Sequence, residues 1–425
     1  MISEQPAEAY VWIWLPDATE PVVAGRLHTA GDIITFNYGR SYLDRADAIP
    51  IYLPELPLRR GVIQPPPGLA VAGCIRDARP DSWGKRVIMQ HLIGAGAGRA
   101  DRAAVSPLTY LLSAGSDRIG ALDFQVSPDR YTSREGTGAP LDELMQAAQR
   151  VDAGLPLSPA LDQALLHGSS VGGARPKSLI DDGGRKLIAK FSSTTDPYPV
   201  VKGEYLAMEL ACRAGLDTAR VELADVLGRD VLLVERFDRV PGTGRRRAVV
   251  SALTVLQLDE TLARYASYAD LAQAVRERFT DARLTLRELF ARITFNILVG
   301  NNDDHARNHA AFWDGAALTL TPAYDICPQP RAGGETSQAM PIAPDGFRMS
   351  QVAGCVETAS TYLLSEAETR EIVDHQIEVI ESQWSDVCDA ARMTEVQRTY
   401  FWHRQFLNPY ALQGYAPKAA RTFGG

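Results

Sequence analysis

Apolar residues recur along this chain with two different periods, and the changeovers mark its elements. From residue 9 to residue 53 the period is two. Tyr10, Trp12 and Trp14 share one parity, a turn follows at Pro16-Asp17, and Val22 to Leu27 and Ile33 to Tyr38 form further runs around Gly31. This predicts a small antiparallel sheet, closed by Ala48-Ile49-Pro50-Ile51 and followed by a proline-rich loop at Pro65-Pro66-Pro67. Helices are predicted from Pro80-Asp81-Ser82-Trp83-Gly84 through Leu92 and from Ser106 to Ser113, with Trp83 as a core anchor. A polar stretch between Ser127 and Leu157 holds one amphipathic helix, Leu141 to Val151, and reads as a structured connector.

Period two returns at Lys186-Leu187-Ile188-Ala189-Lys190-Phe191, after an Asp-Asp-Gly-Gly turn at 181 to 184. A helix over Gly203 to Ala214 and strands over Thr218 to Leu223 and Val231 to Val234 follow. From Ser251 onward the chain turns helical, near Leu253 to Leu258, Tyr268 to Arg278 and Leu286 to Val299. In the last of these Leu289, Ile293, Ile297 and Leu298 recur with a helical period, and Gly300 stops the helix. Amphipathic helices are predicted over 365 to 390 and 391 to 406. The pattern divides an α+β chain into a strand-rich subdomain with helices (1–125), a connector (126–160), a strand-containing core (161–240) and a helical remainder (241–425).

At 425 residues the chain is long enough for two or three domains, and 23% charged residues does not suggest disorder. A formal charge of -8 argues against a whole-protein nucleic-acid binder. The five cysteines are scattered without metal-ligand spacing, as in reduced cytosolic proteins. The amino terminus lacks a basic-then-apolar signal and no stretch approaches 18 apolar residues, so the expectation is a soluble cytoplasmic protein.

Chemistry concentrates after Gly300, in Asn301-Asn302-Asp303-Asp304-His305-Ala306-Arg307-Asn308, followed by a strand-like hairpin and Leu320-Thr-Pro-Ala-Tyr-Asp325. Carboxylates beside a buried helix are costly unless paired or bound to a cation. Phosphoryl transfer supplies a reason: it needs a carboxylate to position a hydroxyl and oxygen ligands to hold magnesium on a triphosphate. Asp303, then Asn308 five residues on, then Asp325 have the order of a kinase centre. A polar loop satisfied by caps and turns is the plainer alternative. Farther upstream, Gly168-Ser-Ser-Val-Gly-Gly-Ala-Arg-Pro-Lys-Ser-Leu179 can turn its amides toward phosphate, or simply make a surface hairpin. In the strand that follows, Lys190 lies on the face opposite Leu187 and Ala189 and can neutralise phosphates. Glu204 or Glu209 can orient it, and Glu235-Arg236-Phe237-Asp238-Arg239 fits a hinge whose Phe237 walls a base.

These segments together resemble the HipA family, kinase toxins of bacterial type II toxin–antitoxin modules. The family's Asp-x-His-x-x-Asn catalytic element is present as Asp303 to Asn308, and its Leu-Thr-Pro-x-Tyr-Asp metal element ends at Asp325. Its Ser-x-x-Gly-Ala/Gly-x-x-x-Lys loop and Val-Glu-Arg-Phe-Asp-Arg string match as well. The resemblance implies a two-lobed protein-kinase-like fold with an amino-terminal strand-rich subdomain, a nucleotide-binding lobe over 161–240 and a helical catalytic lobe. It implies ATP and Mg2+ as cofactors, with Asp303 as base or hydroxyl-positioning group and Asn308 and Asp325 as metal ligands. Val171, Gly172, Gly173 and Ala174 would line the phosphates with Lys190, Glu204 would orient Lys190, Glu235 and Phe237 would meet the base, and His305 would brace the loop. His309 could brace the loop or ligate a metal. Autophosphorylation is expected on Ser170, with Ser169 as the alternative. Two departures appear: Asp304 replaces a common glycine, and Ser251 to Asp259 lacks the family's His-Gln-x-Asp string. The implied partners are a separately encoded helix-turn-helix antitoxin, which alone would bring the protein to DNA, and a protein substrate such as an aminoacyl-tRNA synthetase. The alternatives are a small-metabolite kinase of the same fold and a non-catalytic co-repressor.

Overall fold

The computed structural model describes residues 6–93, 105–135, 139–170, 173–193, 196–331 and 333–418. They form two compact units, each assembled from separated stretches of chain. The first comprises residues 1–195, 224–250 and 312–316, the second 196–223, 251–311 and 317–425.

The first unit opens with strands Glu8–Ile13 (β1), Val22–Ala30 (β2) and Ile33–Tyr38 (β3). Leu122–Gln125 (β4) completes the sheet in the order β3-β2-β1-β4, antiparallel along β2 and along β1. The expected closing segment, residues 48–51, is instead irregular chain, and the Pro50 carbonyl accepts a hydrogen bond from Trp313 Nε1 (2.8 Å). A strand from far along the chain, β4, takes that place beside β1, and its Asp123 pairs with the buried Arg118 (2.9 Å). Both parities of β1 are buried. Val11 and Ile13 lie on one side, and Trp12 and Trp14 pack on the Tyr131 ring at 5.5 Å each.

A second sheet, in the order β5-β6-β8-β7, joins Lys177–Asp182 (β5), Arg185–Phe191 (β6), Val221–Val226 (β7) and Arg229–Glu235 (β8). Ala189, Phe191 and Val231 share a core with three helices, Ser82–Ile93 (α1), Leu141–Asp152 (α2) and Pro159–His167 (α3). The connector helix is thus a core element: Leu144, Met145 and Val151 are buried, each worth roughly 1.5–3 kcal/mol. Packing on that face leaves Lys186, Ile188 and Lys190 half-exposed on the opposite face of β6.

The second unit is mainly helical: Val200–Arg213 (α4), Tyr268–Arg278 (α5), Ala282–Leu298 (α6), Glu366–Ala390 (α7) and the short Glu395–Phe401. Ser267, Asp281 and Ser365 each accept a backbone N–H at a helix start, and Glu368 completes a capping box with Ser365. From Leu289 to Leu298 helix α6 is buried on nearly every side, whereas Arg283, Leu284 and Arg287 in its first turns are exposed. Its polar residues are satisfied inside: Arg292 Nε donates to Glu288 (2.8 Å) and Thr294 Oγ1 to Gln376 (2.9 Å).

Candidate active site

Helix α6 ends at Gly300, whose φ of +73° suits glycine; a Cβ there would come within 2.9 Å of the Gln405 carbonyl oxygen. The following loop is held rigidly from within its own unit. Ala252 N–H donates to His309 O (2.8 Å), Leu253 N–H to Ala306 O (3.2 Å) and Tyr324 Oη to Arg307 O (2.6 Å). The last bond ties the Leu-Thr-Pro-x-Tyr-Asp strand end to the loop, one residue from Asp325. Arg307 also pairs with Glu260.

Asp304 is the loop's internal anchor. It is 2% exposed, and its Oδ2 accepts from Tyr268 Oη (2.5 Å), Asn296 Nδ2 (2.9 Å) and His309 Nε2 (2.9 Å). Burial pushes its carboxyl up, but His309 and these donors outweigh that and hold it below the ordinary carboxylate value. An ionised Asp304 offers no proton, so His309 Nε2 must be the donor. Burial and the Asp304 charge in turn push the Tyr268 hydroxyl well up. Asn296 is fixed by Asn301 Nδ2 (2.8 Å). Asp304 therefore replaces the family's glycine as a buried, satisfied charge, and the bracing imidazole is that of His309. His305 Nδ1 has no partner among the described residues.

Asp303 stands in the opposite environment. It is exposed, yet partial desolvation raises its carboxyl above the ordinary value, with Asp325 and Asp304 adding to the rise and His305 opposing it. Asp325 adopts φ +60°, a left-handed conformation that aspartate tolerates better than most residues. Asp303, Asp325 and the Asn308 amide supply hard oxygen donors. These are donors of the kind magnesium prefers, although among the described residues no group of three His, Cys, Asp or Glu side chains is placed to hold a metal ion.

The glycine-rich loop lies in the first unit. Ser169 and Ser170 are buried; Ser169 Oγ donates to Leu166 O (2.6 Å) and Ser170 Oγ to Asp117 O (3.3 Å). A Cβ on Gly84 would meet the Ser169 carbonyl oxygen at 1.8 Å, so glycine is required where the loop crosses α1. Val171 and Gly172 lie outside the described residues. Gly173 has φ +115° and accepts from Trp83 N–H (3.4 Å), and Ala174 O accepts from Arg86 (3.0 Å). Lys177 is buried beside Asp81 (3.5 Å), which takes up its charge, and Arg175 in the same loop is half-exposed.

Lys190 is half-buried on the face of β6 away from the core. Glu204 is 3% exposed within α4, and the competing Glu209 is engaged by Arg213 (3.1 Å). Glu235 ends β8, and the Phe237 ring meets Phe312 edge-on at 5.8 Å. Asp238 and Arg239 are structural: Arg236 and Arg239 both bind Asp117 (2.9 and 2.8 Å) and Asp238 (2.8 and 2.9 Å). Tyr268, Asn296 and Asp117 have no place in a motif-based reading. Only Asn296 carried a signal, an amide at a core-facing position of α6 that had to find a partner.

Residues 169–384 match the family model of the HipA-like C-terminal domain and residues 14–125 that of the HipA N-terminal domain. A Sinorhizobium fredii protein described as a candidate kinase, Y4mE, is 30% identical over 149 residues, 33% of each chain. The serine/threonine-protein kinase toxin HipA of Shewanella oneidensis is 26% identical over 186 residues, 37% of this chain and 42% of that one. The matches thus span less than half the length of either relative. A chain of the Shewanella oneidensis complex of HipA, HipB and operator DNA superposes with a TM-score of 0.69 at 18% identity, covering 94% of this chain and 97% of that one. The likeness establishes the α+β fold with a strand-rich amino-terminal part and a helical carboxy-terminal part.

Proposed function

This chain belongs to the HipA family, and on that premise we propose that it is an ATP- and Mg2+-dependent protein serine/threonine kinase, the toxin of a toxin–antitoxin pair. The observation that carries the reading is the contrast between adjacent carboxylates: Asp304 is buried and saturated, whereas Asp303 is exposed and crowded by Asp325. A loop built only for stability has no use for the second arrangement. In this reading Asp303 Oδ holds the acceptor hydroxyl and takes its proton, and the rigid loop keeps it in place at little cost in ordering entropy. Asn308 and Asp325 would hold magnesium, which when bound neutralises charge on the transferring phosphoryl group. Lys190 Nζ would neutralise phosphate oxygens as a point charge, with Glu204 orienting it and the loop from Val171 to Ala174 supplying amides. Glu235 and Phe237 would bind the base, and His305 tempers the charge on Asp303.

Self-phosphorylation at Ser170, or at Ser169, requires the loop to leave its present position, because both hydroxyls are buried and engaged. Such a departure would also withdraw the loop from nucleotide. The antitoxin is taken to be a separate helix-turn-helix protein that contacts DNA on the toxin's behalf, by analogy with the HipB and operator DNA of the Shewanella complex. An aminoacyl-tRNA synthetase, phosphorylated on its flexible ATP-binding loop, is the proposed substrate, and the cytoplasm the proposed location.

Incubation of the purified chain and of Asp303→Ala with labelled ATP, followed by phosphopeptide mapping in cells expressing each, tests this. We expect phosphate on protein serine or threonine and a loss of at least about a hundredfold in the variant, with nucleotide binding retained. Equal transfer by the variant would remove Asp303 from the mechanism. Label confined to small molecules would instead indicate a metabolite kinase.

A further inference from the structure

The stretch from Ala252 to Tyr268 is fixed to the catalytic loop at both ends and exposed in the middle. At its start the short helix Ala252–Val255 is wholly buried, and the Ala252 and Leu253 N–H groups donate to the loop carbonyls of His309 and Ala306. That helix closes with Gln257 in a left-handed conformation (φ +54°) and Leu258 N–H on Leu253 O (3.0 Å). At its end Tyr268 is buried, and its hydroxyl donates to Asp304 Oδ2 (2.5 Å). Between these anchors Glu260–Tyr265 forms a 3-10 helix in which no residue is buried. Asp259 caps it, accepting from the Thr261 N–H (2.9 Å) and hydroxyl (2.8 Å), and Glu260 pairs with Arg307 of the loop.

Ordering six residues costs conformational entropy, and in this helix no buried side chain offsets it. Its apolar side chains face outward instead. A 3-10 turn takes three residues, so Leu262 and Tyr265 share one face, 39% and 62% exposed. Arg264 folds onto that face: its guanidinium lies 5.0 Å from the Tyr265 ring centroid, and Nη2 donates to Tyr265 Oη (3.4 Å). Arg264 has no carboxylate partner among the described residues. The carboxylates nearest in the chain are already engaged, Asp259 by the cap and Glu260 by Arg307. The patch is therefore apolar, with one exposed cation.

We propose that Leu262, Arg264 and Tyr265 dock the polypeptide that receives phosphate, an extended segment with an acidic residue beside an apolar one. This rests on the kinase reading above. Charge complementarity selects the acidic residue, since the patch's exposed cation lacks a carboxylate. The apolar pair covers the neighbouring side chain and excludes water from the contact. A nucleic-acid backbone needs a row of cations, and this patch has one. Because the helix is tied to Arg307, and through Tyr268 to Asp304, a chain seated on it stands in fixed register to the loop that carries Asp303.

The test maps protein phosphosites in cells expressing, at matched levels, the wild type, Asp303→Ala, Arg264→Glu, Arg264→Lys or Leu262→Asp. Each purified full chain is also titrated with Mg2+ and a non-hydrolysable ATP analogue. Sites that depend on Asp303 should carry Asp or Glu near the modified residue. Arg264→Glu and Leu262→Asp should each lower their occupancy about tenfold or more, Arg264→Lys should keep most of it, and nucleotide affinity should be unchanged in all three. With the most heavily labelled protein purified as substrate, the loss should lie in KM rather than kcat. Unchanged sites and occupancy in Arg264→Glu and Leu262→Asp would sink the docking surface alone. A wild type that places no Asp303-dependent phosphate on protein would sink the kinase reading, and this surface with it. Loss of nucleotide affinity together with the sites would assign the patch to nucleotide binding instead. Self-association of the wild type that Arg264→Glu abolishes would make a second copy of this chain the occupant and overturn the proposal.

Discussion

Asp303 and Asp304 are neighbours in the chain with opposite electrostatics, and the difference comes from what each meets. Three donors converge on one oxygen of Asp304 and keep it ionised despite complete burial. Asp303 meets partial desolvation and two like charges, so its carboxyl is raised. If Asp303 must be ionised to hold the hydroxyl, activity is lost as pH falls through that raised value. In kcat/KM, which reports the enzyme before the magnesium nucleotide binds, the acid limb should therefore lie above the ordinary carboxylate range. His305 opposes the rise, so His305→Gln should move the limb to still higher pH; a limb that does not move would dissociate His305 from Asp303. The hydroxyls of Ser169 and Ser170 make the complementary point, since reactivity inferred from residue type is withheld by two hydrogen bonds and burial.

At the scale of elements, buried polar clusters fix segments that carry little regular structure. The catalytic loop is one, held by Asp304, Tyr268, Asn296 and His309. Asp304→Asn should destabilise the protein by about 3 kcal/mol in denaturant unfolding. Because the folded carboxyl is depressed, this contribution is complete above the ordinary carboxylate range and is lost as pH falls through the folded value. The stability gap between variant and wild type should thus close in acid. The second cluster joins the segment at 117 to the end of β8 through Asp117, Arg236, Asp238 and Arg239. Burial pushes Asp117 up, but Arg236 and Arg239 hold it well below its usual range. Asp117→Asn leaves two buried guanidinium groups to share the one carboxylate of Asp238 and should cost about 3 kcal/mol by the same measurement. An unchanged unfolding midpoint would mean that Asp238 alone suffices. The Asp117 carbonyl also accepts the Ser170 hydroxyl, so this variant should loosen the loop that bears it.

For the whole molecule, a ligand that binds only the folded chain raises its stability by mass action. Mg2+ with a non-hydrolysable ATP analogue at a hundredfold excess over Kd should add about 2.7 kcal/mol, and Asp325→Ala should reduce that gain; equal gains would remove Asp325 from the metal site. The periodicities alone located most elements to within a few residues: the strand ending at Phe191, the helix stopped by Gly300 and the loop from Asp303 to Asn308 were legible because period, capping and turn chemistry are local. The identity of β4 as the closing strand was not legible, since its pairing with β1 depends on contacts more than 100 residues away. Nor were all the interleaved stretches of the two units: the change to helix at Ser251 coincides with a boundary, but no local signal at 224 or 312 records which body a segment joins. By itself, the sequence determined the elements, the family and which residue types could carry chemistry. Tertiary structure alone decided which of two adjacent aspartates is buried and which is exposed, and which lysine is neutralised. Burial and pairing set the energy of a charge, and both are made by partners distant in the chain.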